Sequence, residues 1–218
     1  CGLKLSAAEM VQLSSAIAGA RDTGRDWKPA AQQAFRDVMV ARVRAYLSGG
    51  YDALVPHEDH VGILVQPRAR ATALINRVGF LSAAWPAFAD VVLRYPRFSP
   101  PGTESFVYWS SESPRGRPIM SATHVTIGRG EGAGRPEVVV ASMQLFATHY
   151  TDASIGVTLL LKGSEGWNYL VYVNHSDVDV LGGRLGGLVR MGLQQRLPGE
   201  AREVLRQLRR RLETEPPS

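Results

Sequence analysis

The sequence predicts an α+β protein, and three observations lead to that prediction. Five strand-like runs follow one another between residues 104 and 180, and turn signals separate them. Helical patterns with a 3.6-residue apolar period precede these runs. An arginine-rich helical pattern from about Arg184 to Leu212 follows them. We therefore expect N-terminal helices, an antiparallel sheet of five to six strands, and a long C-terminal helix packed on the sheet.

The N-terminal part predicts a helical hairpin. Ser6 and Glu9 have the spacing of a capping box, which marks the start of the first helix. A second helix is predicted over about 29–48, because a proline lies near its start and Gly49 and Gly50 follow its end. We assign residues 1–55 to this hairpin.

The remainder, residues 56–213, is predicted to form one α+β domain, followed by a disordered tail at 214–218. The segment His57-Glu-Asp-His60 has the composition of a polar loop, and 61–65 that of a short strand. Helices are expected at 68–78 and 81–94. The strands of the sheet are expected at 105–111, 118–127, 136–148, 154–162 and 167–180, joined as a meander.

Composition and charge limit the kinds of partner that the protein is expected to bind. The chain has 218 residues, a net charge of +5 and no run of 18 apolar residues, so no transmembrane helix is predicted. A solvated basic face is the simplest explanation of the charge. The basic C-terminal helix is nevertheless a candidate for contact with an anionic membrane surface. No nucleic-acid-binding motif is present, so nucleic acid is not expected.

Cys1 is the only cysteine, so it cannot form a disulfide within the chain. Three interpretations remain open. Cys1 is the acylated first residue of a lipoprotein, or half of a disulfide whose partner is elsewhere, or an incidental feature of the chain start.

Three polar residues are candidates for metal binding or acid–base catalysis: His124, His149 and Asp152. They lie on or beside two neighbouring predicted strands. With a hairpin centred near residue 131, position 124 would face position 138. The simpler interpretation, which we favour, is that these side chains hydrogen-bond within the sheet.

A second candidate group consists of His175, Asp177 and Asp179, which alternate along one strand and therefore share a face. Such a face can hold a divalent cation, although a solvated strand end is the commoner arrangement. No nucleotide-binding, hydrolase or CxxC motif occurs, and no cofactor is predicted.

The predicted order of elements over about 60–213 is similar to the START-like helix-grip fold. That family holds lipids or other apolar molecules between a curved sheet and its C-terminal helix. The resemblance implies an apolar or amphipathic small-molecule ligand. The candidate ligand-binding residues are Tyr108, Met120, Phe146, Tyr150, Tyr169, Tyr172 and Arg184.

Five short stretches of the sequence carry a second resemblance: 1–5, 43–50, 106–110, 123–126 and 147–153. They resemble a family of exported bacterial proteins of unknown activity. The resemblance implies an exported protein of the periplasm or cell envelope, of which this chain is a C-terminal portion with Cys1 a former disulfide partner. No functional residue can be transferred from it.

The leading hypothesis is thus a binding protein for an apolar or amphipathic ligand. The first alternative is an enzyme that uses His124, His149 and Asp152. The second is a structural or interaction protein with a filled core. An internal apolar cavity would favour the first, convergent polar side chains in a cleft would favour the enzyme, and neither feature would favour the structural or interaction protein.

Overall fold

The computed structural model describes residues 3–60, 63–79, 81, 85–113, 118–130, 136–149, 151–163, 167–178, 202–203, 205–207, 209–211 and 214. The chain divides into two compact units, Cys1–Asp177 and Val178–Ser218. The larger unit is α+β and contains a five-stranded antiparallel sheet and several helices. The predicted fold class is confirmed at that level.

The predicted helical hairpin is present as α1 (Ala7–Asp22) and α2 (Trp27–Gly49). The capping box forms as predicted: the Ser6 hydroxyl accepts from the Glu9 backbone N–H at 3.3 Å, and the Glu9 carboxylate accepts from the Ser6 N–H at 2.6 Å. Gly50 adopts a φ of 67° and ends α2.

An ion pair joins the two helices. The Arg42 guanidinium donates two hydrogen bonds of 2.6 Å to the Glu9 carboxylate, and Arg42 is only 4% exposed. Burial opposes ionisation of Glu9, but hydrogen bonds from Arg42 and Ser6 outweigh it and hold the pKa of Glu9 below its usual value.

The segment predicted as a polar loop is a strand, and this prediction was wrong. After a short 3-10 turn (Gly50–Ala53), β1 (His57–His60) pairs antiparallel with β2 (Ile63–Val65). The Glu58 N–H also donates to the Leu5 carbonyl at 3.4 Å. Backbone pairing therefore overrides the polar composition of β1. Two helices follow, α3 (Pro67–Arg77) and α4 (Pro86–Arg94).

The main sheet is a meander, as predicted. Its strands are β3 (Thr103–Glu112), β4 (Ile119–Arg129), β5 (Val138–Ala147), β6 (Thr151–Lys162) and β7 (Asn168–Val178), in that spatial order. The register differs from the prediction, because His124 pairs with Met143 and Arg129 pairs with Val138. The hairpin therefore turns a few residues later than expected. A register shift opposite Ala122 and Thr123 marks a bulge in β5.

The core lies between the helices and one face of the sheet. We call this the helix-covered face; it carries Ala122, His124, Met143 and Ile155, all at most 1% exposed. The two layers touch closely at Gly128, where a Cβ would lie 2.6 Å from the Phe88 ring of α4. Only glycine fits this contact without displacement of the ring.

The smaller unit is described at only some positions. The described residues between 202 and 214 have helical backbone, and Arg206 pairs with Glu203 three residues away. The rest of the predicted long helix, including Arg184, lies outside the described residues. Thr214 is the only described residue of the predicted tail. No helix in the described part of the chain is long and apolar enough to cross a membrane.

Candidate functional site

One candidate residue, His124, lies in a buried aromatic cluster. Its Nδ1 is 2.7 Å from the hydroxyl oxygen of Tyr46, which α2 brings down onto β4. The rings of Tyr95 and Tyr51 complete the cluster: Tyr95 lies 4.4 Å from the His124 ring, and Tyr51 packs edge-on against Tyr46 at 5.2 Å. Tyr46 was not identified from the sequence, where it belongs to the apolar stripe of a helix.

Burial controls the chemistry of this cluster. His124 is 1% exposed and Tyr46 is 0% exposed. Burial lowers the pKa of His124 to about 4 and raises the pKa of Tyr46 far above its usual value. The Nε2 atom of His124 has no hydrogen-bond partner among the described residues. His124 is therefore a neutral core residue at pH 7, and no substrate can reach it without opening the core.

The other two candidates of the first group lie elsewhere. His124 is opposite Met143, whereas His149 follows the end of β5 and Asp152 is the second residue of β6. Asp152 accepts a hydrogen bond from Lys4 and lies 3.9 Å from Arg70. The structure therefore does not assemble these three side chains into one site.

In the second candidate group, Asp177 is engaged in ion pairs. Asp177 pairs with Arg77 and lies 3.6 Å from Arg70, and Asp179 is outside the described residues. His175 is half-buried on β7. Within the described ranges, no group of three or more His, Cys, Asp or Glu side chains is placed to hold a metal ion.

The larger unit carries a groove beside α2, which we call the α2 groove. It consists of two depressions of about 530 and 320 Å³, which share Gln32, Phe35 and Met120. Its lining is mainly apolar. The remaining lining residues are Leu3, Leu13, Ala31, Arg36, Met39, Val40, Trp109, Pro118, Thr148 and His149.

Helix and sheet geometry produce this groove. The lining residues of α2 recur between Ala31 and Val40 at three- and four-residue spacing, so they follow one side of the helix. On the opposite wall, Trp109 is 40% exposed and packs edge-on against the buried Phe146 at 5.7 Å. The groove therefore has an aromatic wall anchored in the core.

The predicted ligand-binding residues are distributed over different parts of the molecule. Met120 lines the α2 groove, and Phe146 packs against Trp109 of the groove wall. Tyr108 pairs with Thr123, the neighbour of His124, and therefore lies on the face opposite the helices. Tyr172 contacts the position of Gly156 on that same opposite face.

The other predicted ligand-binding residues do not line the groove. Tyr169 lies beside Gly163 at the start of β7 and is 60% exposed. Tyr150 and Arg184 lie outside the described residues. The groove residues that the sequence did not indicate, above all Phe35 and Trp109, come from segments far apart in the chain. The sequence places Phe35 on the apolar face of a predicted helix, but it does not show which part of the protein lies against that face.

Comparison with known proteins does not assign the chain to a family: no family model matches it, and neither a curated protein nor a solved structure shows significant similarity to it.

Proposed function

We propose that the protein binds an apolar or amphipathic small molecule in the α2 groove. The observation that carries this proposal is the groove itself. Its two depressions, of about 530 and 320 Å³, fall in the range of about 300–1,000 Å³ that is typical of small-molecule sites. An apolar lining with a few polar groups is also typical of such sites.

The exposed apolar surface of the groove supports the proposal energetically. Trp109 is 40% exposed, and Phe35 and Met120 beside it are half-buried. A ligand that covers these side chains removes apolar surface from water, which contributes about 25 cal/mol for each Å². The wall is already held in place by the contact of Trp109 with Phe146, so little ordering is needed on binding.

A charge placed in the groove tests this proposal. Met120→Lys introduces an ammonium group among apolar side chains, whereas Leu64→Lys places the same group at a position that is 56% exposed on β2. We expect the neutral apolar dye N-phenyl-1-naphthylamine to bind the wild type and the Leu64 variant equally, and the Met120 variant at least tenfold more weakly. Equal binding by all three proteins would contradict the proposal.

Native mass spectrometry identifies a natural ligand without assuming its class. Protein purified without a tag and without chelator is measured before and after extraction with organic solvent. We expect a mass excess that extraction removes. An excess that survives extraction and equals a metal ion would instead favour a metalloenzyme.

The enzymatic alternative has weaker support. It requires His124, His149 and Asp152 to act together, but His124 is 1% exposed and pairs with Tyr46, and Asp152 pairs with Lys4. These contacts match the roles of structural polar residues. A structural or interaction protein remains the alternative if the groove binds no small molecule.

We also propose a helix-grip arrangement, in which a long C-terminal helix packs on the sheet. The support is the leucine spacing of 185–212 and the helical backbone of the described residues from 202 to 211. Hydrogen exchange tests it: protection over 185–212 is expected to match that of the sheet, and rapid exchange there would contradict it.

Export to the periplasm or cell envelope is a separate proposal, supported by the sequence resemblance alone. Contact of the arginine face of the C-terminal segment with an anionic membrane surface is supported by its charge. Sedimentation with vesicles tests this contact: binding to anionic vesicles, but not to neutral ones, is expected. Equal binding to both would contradict it.

A further inference from the structure

We propose that the ligand of the α2 groove is a straight-chain monocarboxylate, whose carboxylate pairs with Arg36. This inference rests on the proposed function and specifies its ligand. Three features of the groove lead to it: the charge of its lining, the availability of its one arginine, and the apolar side chains that its two depressions share.

The charge of the lining favours an anion. Arg36 is the only Asp, Glu, Lys or Arg among the described residues that line the groove, and it lines only the larger depression. One guanidinium matches one carboxylate in charge and in geometry, because two parallel N–H donors meet two oxygens. The pair between Arg42 and Glu9 shows that geometry within this protein, with two hydrogen bonds of 2.6 Å.

Arg36 is available for such a partner. In the described part of the chain it forms no ion pair, although Asp37 is its immediate neighbour. Asp37 points along the helix instead and accepts a hydrogen bond of 2.8 Å from Gln33, one turn earlier. Arg36 is exposed, so it can change rotamer to meet a carboxylate without disturbing the core.

The lining that the two depressions share sets the direction of the alkyl chain. Arg36 lines the larger depression, whereas Phe35 and Met120 line both. A chain whose carboxylate pairs with Arg36 therefore crosses Phe35 and Met120 toward Leu13, which lines the smaller depression.

Titration calorimetry with three ligands tests the inference: decanoate, decanol and hexanoate, each below its aggregation concentration. We expect hexanoate to bind at least tenfold more weakly than decanoate, because four buried methylenes are lost. Equal binding of hexanoate and decanoate would overturn a path of the alkyl chain along the apolar lining.

The head group is tested with Arg36→Gln and with Arg44→Gln as the matched control, since both arginines are exposed on α2. Arg36→Gln is expected to weaken decanoate binding about three- to tenfold and to leave decanol binding unchanged. Arg44→Gln is expected to change neither. An equal effect of Arg36→Gln on both ligands, or no effect on decanoate, would overturn the pairing with Arg36.

The outcomes separate this inference from the proposed function. If the wild-type protein binds none of decanoate, decanol and N-phenyl-1-naphthylamine, both proposals fall. If N-phenyl-1-naphthylamine binds and Met120→Lys weakens its binding, but decanoate does not displace it, the groove stands and the monocarboxylate is wrong. Circular dichroism of each variant establishes that it is folded.

Discussion

Acid is expected to destabilise this protein through His124. The imidazole is 1% exposed, and its Nδ1 is 2.7 Å from the Tyr46 hydroxyl oxygen. Burial lowers its pKa to about 4, whereas a histidine in an unfolded chain titrates near 6.5. Protonation in the core would place a charge among aromatic rings, and it would leave the Nε2 donor without an acceptor among the described residues.

The sign and size follow from the two pKa values. Between pH 6.5 and 4 the unfolded chain binds a proton at His124 and the folded chain does not, so stability falls as the pH falls. The neutral histidine contributes its full stabilisation above pH 6.5 and has lost it near pH 4. At about 1.4 kcal/mol for each pH unit, the loss is about 3 kcal/mol. A typical domain has only about 5–15 kcal/mol of stability, so the effect is large.

Urea unfolding at pH 7 and pH 4.5 measures this loss in three proteins: the wild type, His124→Gln and Thr126→Val. Thr126 is buried on the same face of β4 and does not titrate, so it is the matched control. The wild type and the Thr126 variant are expected to lose about 2–3 kcal/mol more on acidification than His124→Gln. An identical loss in all three would refute the reasoning, as would an NMR titration in which folded His124 titrates near pH 6.5.

Three further variants test the packing, each by its free energy of unfolding in urea. Arg42→Met removes the partner of the half-buried Glu9 carboxylate, and a loss of about 3 kcal/mol is expected; an unchanged midpoint would contradict a structural ion pair. Gly128→Ala forces the Phe88 ring aside, with an expected loss of about 1–3 kcal/mol; a neutral result would mean that the ring yields freely. Gly19→Ala in α1 is its control, because a Cβ there has no atom within 4 Å. This change is expected to add about 0.5–1 kcal/mol, and a loss would contradict an open helix surface at this position.

The sheet was the most predictable part of the fold. Alternation and turn residues define a strand locally, so each predicted strand lies within three residues of the observed one at either end. The register was less predictable, because the glycine-rich loop before β5 fits hairpins of several lengths. His124 therefore faces Met143 instead of position 138. β1 was missed because its polar composition carries no strand signal and its identity depends on pairing with β2.

The site was predictable only in part, for a physical reason. Met120 and Phe146 could be proposed because strand alternation assigns residues to faces. By the same rule, Met120 lies on the same face of the sheet as His124, and Tyr108 lies on the opposite face. The sequence does not say which of the two faces carries a groove. The wall formed by Phe35 of α2 depends on how that helix docks. Docking is a tertiary property with no local signal.

The Glu9 carboxylate has two roles: it caps its own helix and it pairs with the neighbouring helix. It closes the capping box by accepting from the Ser6 N–H, and it also accepts both hydrogen bonds from Arg42 of α2. The first turn of α1 is thus stabilised by the same group that attaches the helix to its neighbour. The start of α1 and its docking on α2 should therefore form and break as one cooperative unit, instead of the helix end fraying independently.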